Sequence, residues 1–337
     1  MKEAMFCRKL ESDVVECFLC AQRCRIKPGK RGKCGVRQNN AGTLFSLVYE
    51  QVIAQHVDPI EKKPLFHFHP ASRSYSIATA GCNFRCLFCQ NADISQLPRE
   101  QHLIPGRRVP VEDVVREALE SGCATISYTY TEPTVFMEYA LDVAERAHRA
   151  GLGNVFVSNG YMTAEALEVL APRLDAANID LKAFSDEFYS EQCGAHLQPV
   201  LDTLRRLKDY GIWLEVTTLL IPGLNDDPGQ LRDLARHLVS LGPETPWHVS
   251  RFHPTYRMLD RRPTPVEALR MARRIGLEEG LHYVYTGNIP GDEGESTFCH
   301  SCGELLIERF GFSARIRGLK RGACTRCGAA MAGVRIP

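Results

Sequence analysis

The sequence contains no long hydrophobic run and no apolar leader. None of its segments approaches the roughly 18 apolar residues that a membrane-spanning helix requires. Its first residues, MKEAMFCRKLESDVVE, carry charges where a secretory signal peptide has an apolar region. These absences argue against a membrane protein and a secreted protein, so we expect a cytoplasmic protein. Hydrophobic residues form 44% of the 337, enough for a large globular core.

Strand-like and helix-like segments alternate between residues 67 and 290. Six predicted strands and a weaker seventh, at Tyr283 to Gly287, start mostly 22 to 37 residues apart. That spacing leaves room for helical crossovers and predicts parallel strands. No G-x-G-x-x-G motif follows the first strand, which argues against a dinucleotide-binding sheet. The predicted fold class is α/β, with a partial (β/α)6 parallel barrel.

Fourteen cysteines without a secretory signal indicate metal binding in a reducing compartment. Eleven fall into three groups, whereas Cys7, Cys123 and Cys193 stand alone and are interpreted as ordinary packing residues. The groups are Cys17, Cys20, Cys24 and Cys34; Cys82, Cys86 and Cys89; and Cys299, Cys302, Cys324 and Cys327. We therefore expect an N-terminal four-cysteine segment over 1–66, a core over 67–290 and a C-terminal zinc-ribbon-like segment over 291–337.

The central group, in GCNFRCLFCQN, directly follows the predicted strand SYSIATA. Thiolates bind a [4Fe-4S] cluster one per iron, so three cysteines leave one iron open. A structural zinc site would need a fourth ligand, and none is suitably near. The pattern resembles the radical S-adenosylmethionine (radical SAM) superfamily. This resemblance implies that SAM chelates the open iron and is cleaved reductively to a 5′-deoxyadenosyl radical.

Polar residues follow each predicted strand, at the barrel end where parallel barrels form their active sites. They include Glu132, Ser158, Asn159, Asp180, Lys182, Glu215, Arg251, His253 and Asn288. Several resemble motifs of glycyl-radical-enzyme activating enzymes: YTEP, SNGY, DLK and RFHP. This resemblance implies that SAM is bound by six of them. They are Glu132 at the amino group, Ser158 and Asn159, Asp180 and Lys182 at the carboxylate and ribose, and His253 near the ribose.

A more specific resemblance covers nearly the whole chain, including DPIEKKPLFHF, SYTYTEPTVFMEYALD, AANIDLKAFSDEFY and EVTTLLIPGLND. These segments are similar to the AmmeMemoRadiSam system radical SAM enzymes. That family is associated with AMMECR-type and Memo-type domain proteins, which become the expected partners. The resemblance names no substrate.

The terminal cysteine groups predict two further metal sites. Cys299-x-x-Cys302 and Cys324-x-x-Cys327, each followed by glycine, form a zinc-ribbon pattern, although four thiolates also suit a rubredoxin-like iron. The spacing of Cys17, Cys20, Cys24 and Cys34 is less standard and suits zinc or a second [4Fe-4S] cluster. We favour zinc there, because the basic run RIKPGKRGK resembles a small zinc knuckle.

The near-zero net charge of +1 hides an uneven distribution. Residues 1–40 carry ten Lys and Arg against four Asp and Glu, a net of +6, and residues 299–337 carry a net of +5. The remaining middle of the chain carries −10. Basic ends suit docking onto a partner, onto nucleic acid or back onto the core.

The sequence predicts a radical SAM enzyme that abstracts hydrogen from an unidentified substrate. It needs an electron donor such as a flavodoxin or a ferredoxin, and we expect no membrane partner. The alternatives are a glycyl-radical-enzyme activase similar to pyruvate formate-lyase activating enzyme, an RNA-modifying radical SAM enzyme, and a non-catalytic iron-sulfur and zinc scaffold.

Overall fold

A computed structural model describes residues 1–337, and its central feature is a nine-stranded sheet. Seven strands run parallel, and two antiparallel strands extend one edge. Six short strands precede this sheet in two three-stranded antiparallel sheets. They are β1 (Lys2–Glu3), β2 (Cys7–Lys9), β3 (Val15–Cys17), β4 (Cys24–Ile26), β5 (Arg37–Asn40) and β6 (Thr43–Ser46). The strands of the large sheet are β7 (Gln51–Pro59), β8 (Arg73–Thr79), β9 (Arg107–Arg108), β10 (Thr125–Tyr128), β11 (Gly153–Ser158), β12 (Ala176–Asp180), β13 (Trp213–Leu220), β14 (Trp247–Arg251) and β15 (Val284–Gly287).

Amphipathic helices connect the parallel strands and bury their apolar faces against the sheet. The helices are α1 (Ala92–Ser95), α2 (Leu97–Glu100), α3 (Val111–Glu120), α4 (Met137–Arg149), α5 (Ala164–Leu170), α6 (Asp186–Phe188), α7 (Gln198–Asp209), α8 (Pro228–Leu241) and α9 (Val266–Glu278). A core of 70 buried residues fills the space between the layers. None of these helices is both long and apolar enough to cross a bilayer.

The predicted α/β parallel barrel is confirmed, with one parallel strand more than the six expected. The weaker candidate near Tyr283 forms β15, which pairs with β14 from Trp247↔Val284 onward. The sequence pattern did not reveal β7, a nine-residue strand within the lead-in, which pairs antiparallel with β8. Its mixed pattern, QVIAQHVDP, gives no clean alternation because both of its faces are partly covered.

The C-terminal residues pack against the barrel end at which the strands begin. They form β16 (Thr297–Phe298), β17 (Leu305–Phe310), β18 (Ser313–Ile316), β19 (Leu319–Lys320) and β20 (Ala323–Cys324). The buried Arg309 donates to the Phe66 carbonyl at 2.9 Å, and the Val334 amide donates to the His67 carbonyl at 2.8 Å. The last segment of the chain therefore covers the barrel end opposite the predicted SAM site.

Glu215 belongs to this covered end and not to the polar rim where the sequence pattern placed it. It is the third residue of β13, close to the start of that strand, and its carboxylate is fully buried. The carboxylate accepts hydrogen bonds from the amides of Phe66 and His67 and pairs with His248 at 2.7 Å. Its role is structural, because every partner comes from the barrel base.

Candidate functional site

The loop after β8 carries the three central cysteines at the rim where the parallel strands end. Gly81 starts this loop with φ of +104°, a conformation that glycine adopts readily. A Cβ there would lie 2.6 Å from Val36, so the N-terminal segment also packs directly on this glycine. The Asn91 side chain, just beyond Cys89, donates to the Tyr130 carbonyl at 2.7 Å. The loop is therefore held at both of its ends.

The three thiols suit a four-iron cluster better than a single metal ion. The sulfur atoms of Cys82, Cys86 and Cys89 do not all lie within 4.8 Å of one another. Each thiolate of a [4Fe-4S] cluster binds a different iron, so its ligands stand apart. The Cys82 sulfur accepts from the Phe84 amide at 3.4 Å and from the Asn159 side chain at 3.8 Å. The donor set fits a cluster with one iron left free by the protein.

Glu132, Ser158 and Asn159 meet at the ends of β10 and β11. The buried Glu132 carboxylate accepts from the Ser158 hydroxyl at 2.7 Å, the Asn159 amide at 2.8 Å and the amide and hydroxyl of Thr134. Burial raises the pKa of Glu132, and these hydrogen bonds oppose that rise. Because four donors from the chain already surround it, Glu132 positions Asn159 beside Cys82, and its predicted contact with SAM remains a prediction.

Asp180 and Lys182 lie at the end of β12, and their side chains pair at 2.9 Å. The Lys182 ammonium lies 5.8 Å from the centre of the Phe88 ring, within the cysteine loop. Burial alone would lower the pKa of Lys182, but Asp180 and the thiols of Cys86 and Cys193 raise it well above its usual value. Lys182 is therefore a firmly charged cation beside the cluster loop, suited to an anionic carboxylate.

His253 follows β14 on the same rim but makes none of these contacts. Its side chain is exposed and forms no hydrogen bond. Asn288, after β15, donates to the Arg251 carbonyl at 3.1 Å and closes that part of the rim. The structure thus brings five of the six predicted SAM-binding residues into two hydrogen-bonded clusters and leaves His253 apart.

Two residues near this site were not singled out from the sequence. Cys193, interpreted there as a packing residue, is fully buried beside Cys86, and this contact lowers the pKa of the Cys86 thiol. Its place in a π-helical turn, Tyr189–Cys193, follows no recognisable cysteine spacing. Lys63 is buried and pairs with Asp58 at 2.6 Å.

Tyr130, the first residue of the YTEP motif, has an unusual backbone conformation. Its φ of +62° is the left-handed conformation that glycine favours. The Tyr130 hydroxyl donates to Asp58, and the Lys63 ammonium lies 4.5 Å from the ring centre. These contacts offset the backbone strain of a tyrosine in this conformation.

The C-terminal cysteines form a separate, compact site. Their four sulfurs all lie within 4.8 Å of one another, with Cys299 and Cys327 at 3.6 Å and Cys302 and Cys324 at 3.7 Å. A tetrahedral ion with bonds of about 2.3 Å places its sulfur ligands about 3.8 Å apart. This group fits one tetrahedral metal ion.

Comparisons with known proteins agree with this geometry. The family model for the radical SAM superfamily matches residues 76–238. An uncharacterized protein of Methanocaldococcus jannaschii is 48% identical over 332 residues, which cover 97% of this chain and 98% of the relative. The chain belongs to the radical SAM superfamily.

Two further comparisons bear on this radical SAM protein. A probable GTP 3′,8-cyclase of Pyrobaculum aerophilum is 28% identical over 67% of the chain and 77% of the relative. The crystal structure of a radical SAM methyltransferase from Sphaerobacter thermophilus matches 71% of each chain with a TM-score of 0.52 and 18% identity, which shows a shared fold. The chain is a radical SAM enzyme, and the superfamily implies SAM and a [4Fe-4S] cluster. These matches do not show its own substrate.

Proposed function

We propose that this enzyme cleaves SAM reductively at the rim formed by Cys82, Cys86 and Cys89 and abstracts hydrogen from a substrate supplied by a partner protein. One observation carries the first part. The thiols of Cys82, Cys86 and Cys89 lie beside the charged Lys182 and the hydrogen-bonded Glu132 cluster, at the open end of a parallel barrel. When bound, the [4Fe-4S] cluster supplies the electron, and SAM supplies the radical chemistry.

The residues of the chain bind and orient SAM. Lys182 supplies a positive charge for the methionyl carboxylate, and Asp180 holds that ammonium in place at 2.9 Å. Glu132 fixes the end of β11, so that the Asn159 amide group stays at the Cys82 sulfur. His253 is exposed on the rim, where it is free to meet the ribose. The buried core beneath the rim excludes water from the reacting groups.

We propose AMMECR-type and Memo-type domain proteins as partners, on the basis of the sequence resemblance to the AmmeMemoRadiSam system. A substrate carried on a partner suits a site at the open rim of the barrel, where the loop after β8 carries Cys82, Cys86 and Cys89. The activase alternative makes a related demand, since it acts on a glycine of a partner chain. The two differ in product: a glycine-centred radical on the partner belongs only to an activase.

An acidic electron donor of the flavodoxin or ferredoxin class fits a basic cavity beside the cysteine loop. The cavity measures about 910 Å³, is lined by cations without a carboxylate, and reaches Asn83, next to Cys82. Its cationic side chains are Lys30, Arg31, Lys33, Arg85 and Arg99, with His102 and His196 at the margin. Positive potential at such a cavity steers acidic partners toward it.

The donor site is tested with the double variant Lys30→Glu/Arg85→Glu. Both residues are exposed, so the variant should fold, and reduction by flavodoxin should slow about tenfold while reduction by dithionite is unchanged. Lys27→Glu/Lys320→Glu alters two exposed cations outside the cavity and is the matched control. Equal rates for the two double variants would contradict the proposed surface. Salt-sensitive RNA binding lost in the first variant would instead favour the RNA-modifying alternative.

We propose zinc as the metal of the C-terminal group and the reducing cytoplasm as the location. The sulfur spacing fits the zinc bond length, and four thiolates without an open position make a structural site. All fourteen cysteines are free thiols, which a reducing compartment preserves.

The decisive experiment reconstitutes the full chain anaerobically, reduces it and measures 5′-deoxyadenosine formed from SAM, with and without the AMMECR-type and Memo-type proteins. We expect basal production and an increase with a partner. No product from protein that holds its iron and sulfide, with two different reductants, would favour the scaffold alternative. No change with either partner would leave SAM cleavage intact and contradict the partner proposal.

A further inference from the structure

The four N-terminal cysteines line one small, partly open cavity on the rim side of the barrel. Cys17 ends β3, Cys24 begins β4, and the two are paired across these strands. Cys20 lies in the turn between them and Cys34 in the loop before β5. All four line the cavity, together with apolar side chains that include Leu19, Ile26 and Val135. Four thiols converge here without a carboxylate or histidine.

The sulfurs of this group are spaced more widely than zinc allows. No three of them lie within 4.8 Å of one another, whereas all four C-terminal sulfurs do. Zinc would require separations of about 3.8 Å. Thiolates that each bind a different iron of a four-iron cluster stand further apart. The barrel cysteines likewise do not form a set within 4.8 Å, so in this respect the N-terminal group resembles the barrel group and not the compact C-terminal one.

Two buried donors without a partner line the same cavity. The Arg37 Nε and the Asn83 side-chain nitrogen form no hydrogen bond, although each residue is only 2% exposed. The other guanidinium nitrogens of Arg37 are occupied by Glu138 at 2.9 Å and by the Met5 carbonyl at 2.5 Å. An unpaired buried donor is costly, and the sulfur atoms of a bound cluster are hydrogen-bond acceptors of the kind that these two donors lack. The positive charge of Arg37 would also attract a negatively charged four-thiolate cluster.

This cavity adjoins the SAM site through two backbone contacts. Asn83 lines the cavity and is bonded directly to Cys82. The Cys34 carbonyl packs on Gly81, where a Cβ would lie 3.2 Å from that oxygen. Gln22, also on the cavity, donates to the Asn83 carbonyl at 3.1 Å. The N-terminal cysteine group therefore packs directly against the loop that carries Cys82, Cys86 and Cys89.

We propose that Cys17, Cys20, Cys24 and Cys34 hold a second [4Fe-4S] cluster, which exchanges single electrons with the cluster at Cys82, Cys86 and Cys89. An external low-potential protein donor reduces the N-terminal cluster by one electron. That electron then passes to the cluster at Cys82, Cys86 and Cys89, and its transfer reoxidises the N-terminal cluster. No bond of the protein forms or breaks. Only the destination of the electron rests on the proposed function; the second cluster itself is independent of SAM cleavage.

The test counts metals on the full chain after anaerobic reconstitution, with electron paramagnetic resonance (EPR) spectra of the reduced protein with and without SAM. We expect about eight iron and eight sulfide per chain, four of each in either cluster. Two EPR signals should appear, and SAM should change only one of them. Cys24→Ala should lose about four iron and the SAM-independent signal, whereas Cys86→Ala should lose the SAM-dependent one.

Cys7→Ala is the matched control, since Cys7 faces Cys17 across β2 and β3 but does not line the cavity. It should retain both clusters. About four iron with a second equivalent of zinc would overturn the proposal in favour of zinc. About four iron with all four N-terminal thiols open to alkylation would show that the group binds no metal. The wild-type measurements decide the question even if Cys24→Ala does not fold.

Discussion

The two terminal cysteine groups each contain four thiols, but they differ in position and in spacing. The C-terminal sulfurs lie within 4.8 Å of one another at the barrel base, beside Tyr283 and Tyr285. The N-terminal sulfurs are further apart and lie at the rim, against the loop that carries Cys82. Equal numbers of cysteines therefore do not imply equal metals. A compact set at the closed base suits structure, and a spread set beside the reactive loop suits electron transfer.

The largest expected effect is the loss of SAM cleavage when a barrel cysteine is removed, which neither terminal group should share to this extent. Cys86→Ala should reduce 5′-deoxyadenosine formation to background, because an incomplete ligand set cannot hold the cluster in place. Zinc at the C-terminal group should stay unchanged. Cys123→Ala removes a buried cysteine outside the three groups and should retain activity. Retained SAM cleavage in all three of Cys82→Ala, Cys86→Ala and Cys89→Ala would contradict the assignment.

Removal of the compact site should affect stability and not SAM chemistry. Cys324→Ala should lose zinc and lower the melting temperature by roughly 10 °C, since the metal organises the segment that covers the barrel base. The contacts of Arg309 with Phe66 and of Val334 with His67 depend on that segment. Calorimetry and metal analysis measure both effects. An unchanged melting temperature after complete zinc loss would show that the segment folds without the metal.

A smaller effect is expected where the barrel site meets SAM. Lys182→Met should raise the Kd for SAM about 10- to 150-fold, because a charge-assisted hydrogen bond contributes about 1.5–3 kcal/mol. Iron content should not change. Lys208→Met is the control, as Lys208 pairs with Glu244 away from the rim. Loss of iron in Lys182→Met would show that Lys182 supports the cluster and not SAM.

The smallest effect concerns the hydrogen bonds that position the end of β11. Ser158→Ala removes one of the donors to Glu132 and should lower the free energy of unfolding by about 1 kcal/mol. SAM affinity should fall only about two- to fivefold. Glu132→Ala removes the acceptor of all four donors and should have the larger effect. If Ser158→Ala weakens SAM binding as much as Lys182→Met, Ser158 contacts SAM directly.

Much of the barrel could be predicted because its parallel strands and helices have clear hydrophobic periods. The cysteine spacing near Cys82 predicted the chemistry of the loop, because both signals are local in the sequence. Strand β7 gave no such signal, since it lies next to the two-residue edge strand β9 and its faces are mixed. Glu215 was misplaced because its strand is long, and residue order alone does not show how far a side chain lies from the strand end.

Contacts between distant segments were beyond the reach of sequence patterns. Cys193 reaches Cys86 through a π-helical turn, and Lys63 is buried through its pair with Asp58. Sulfur spacing at the two ends of the chain likewise depends on tertiary packing. Zinc was favoured at the N-terminal group from the basic residues around it, whereas the spacing and the unpaired donor of Arg37 favour a cluster.

The central claim is that the open iron at Cys82, Cys86 and Cys89 binds SAM. The most direct measurement is EPR of the reduced wild-type protein and of Cys86→Ala, each recorded with and without SAM. We predict a cluster signal in the wild type that SAM alters and that Cys86→Ala lacks. A SAM-induced change that persists in Cys86→Ala, or a wild-type signal that SAM leaves unchanged, would contradict this account.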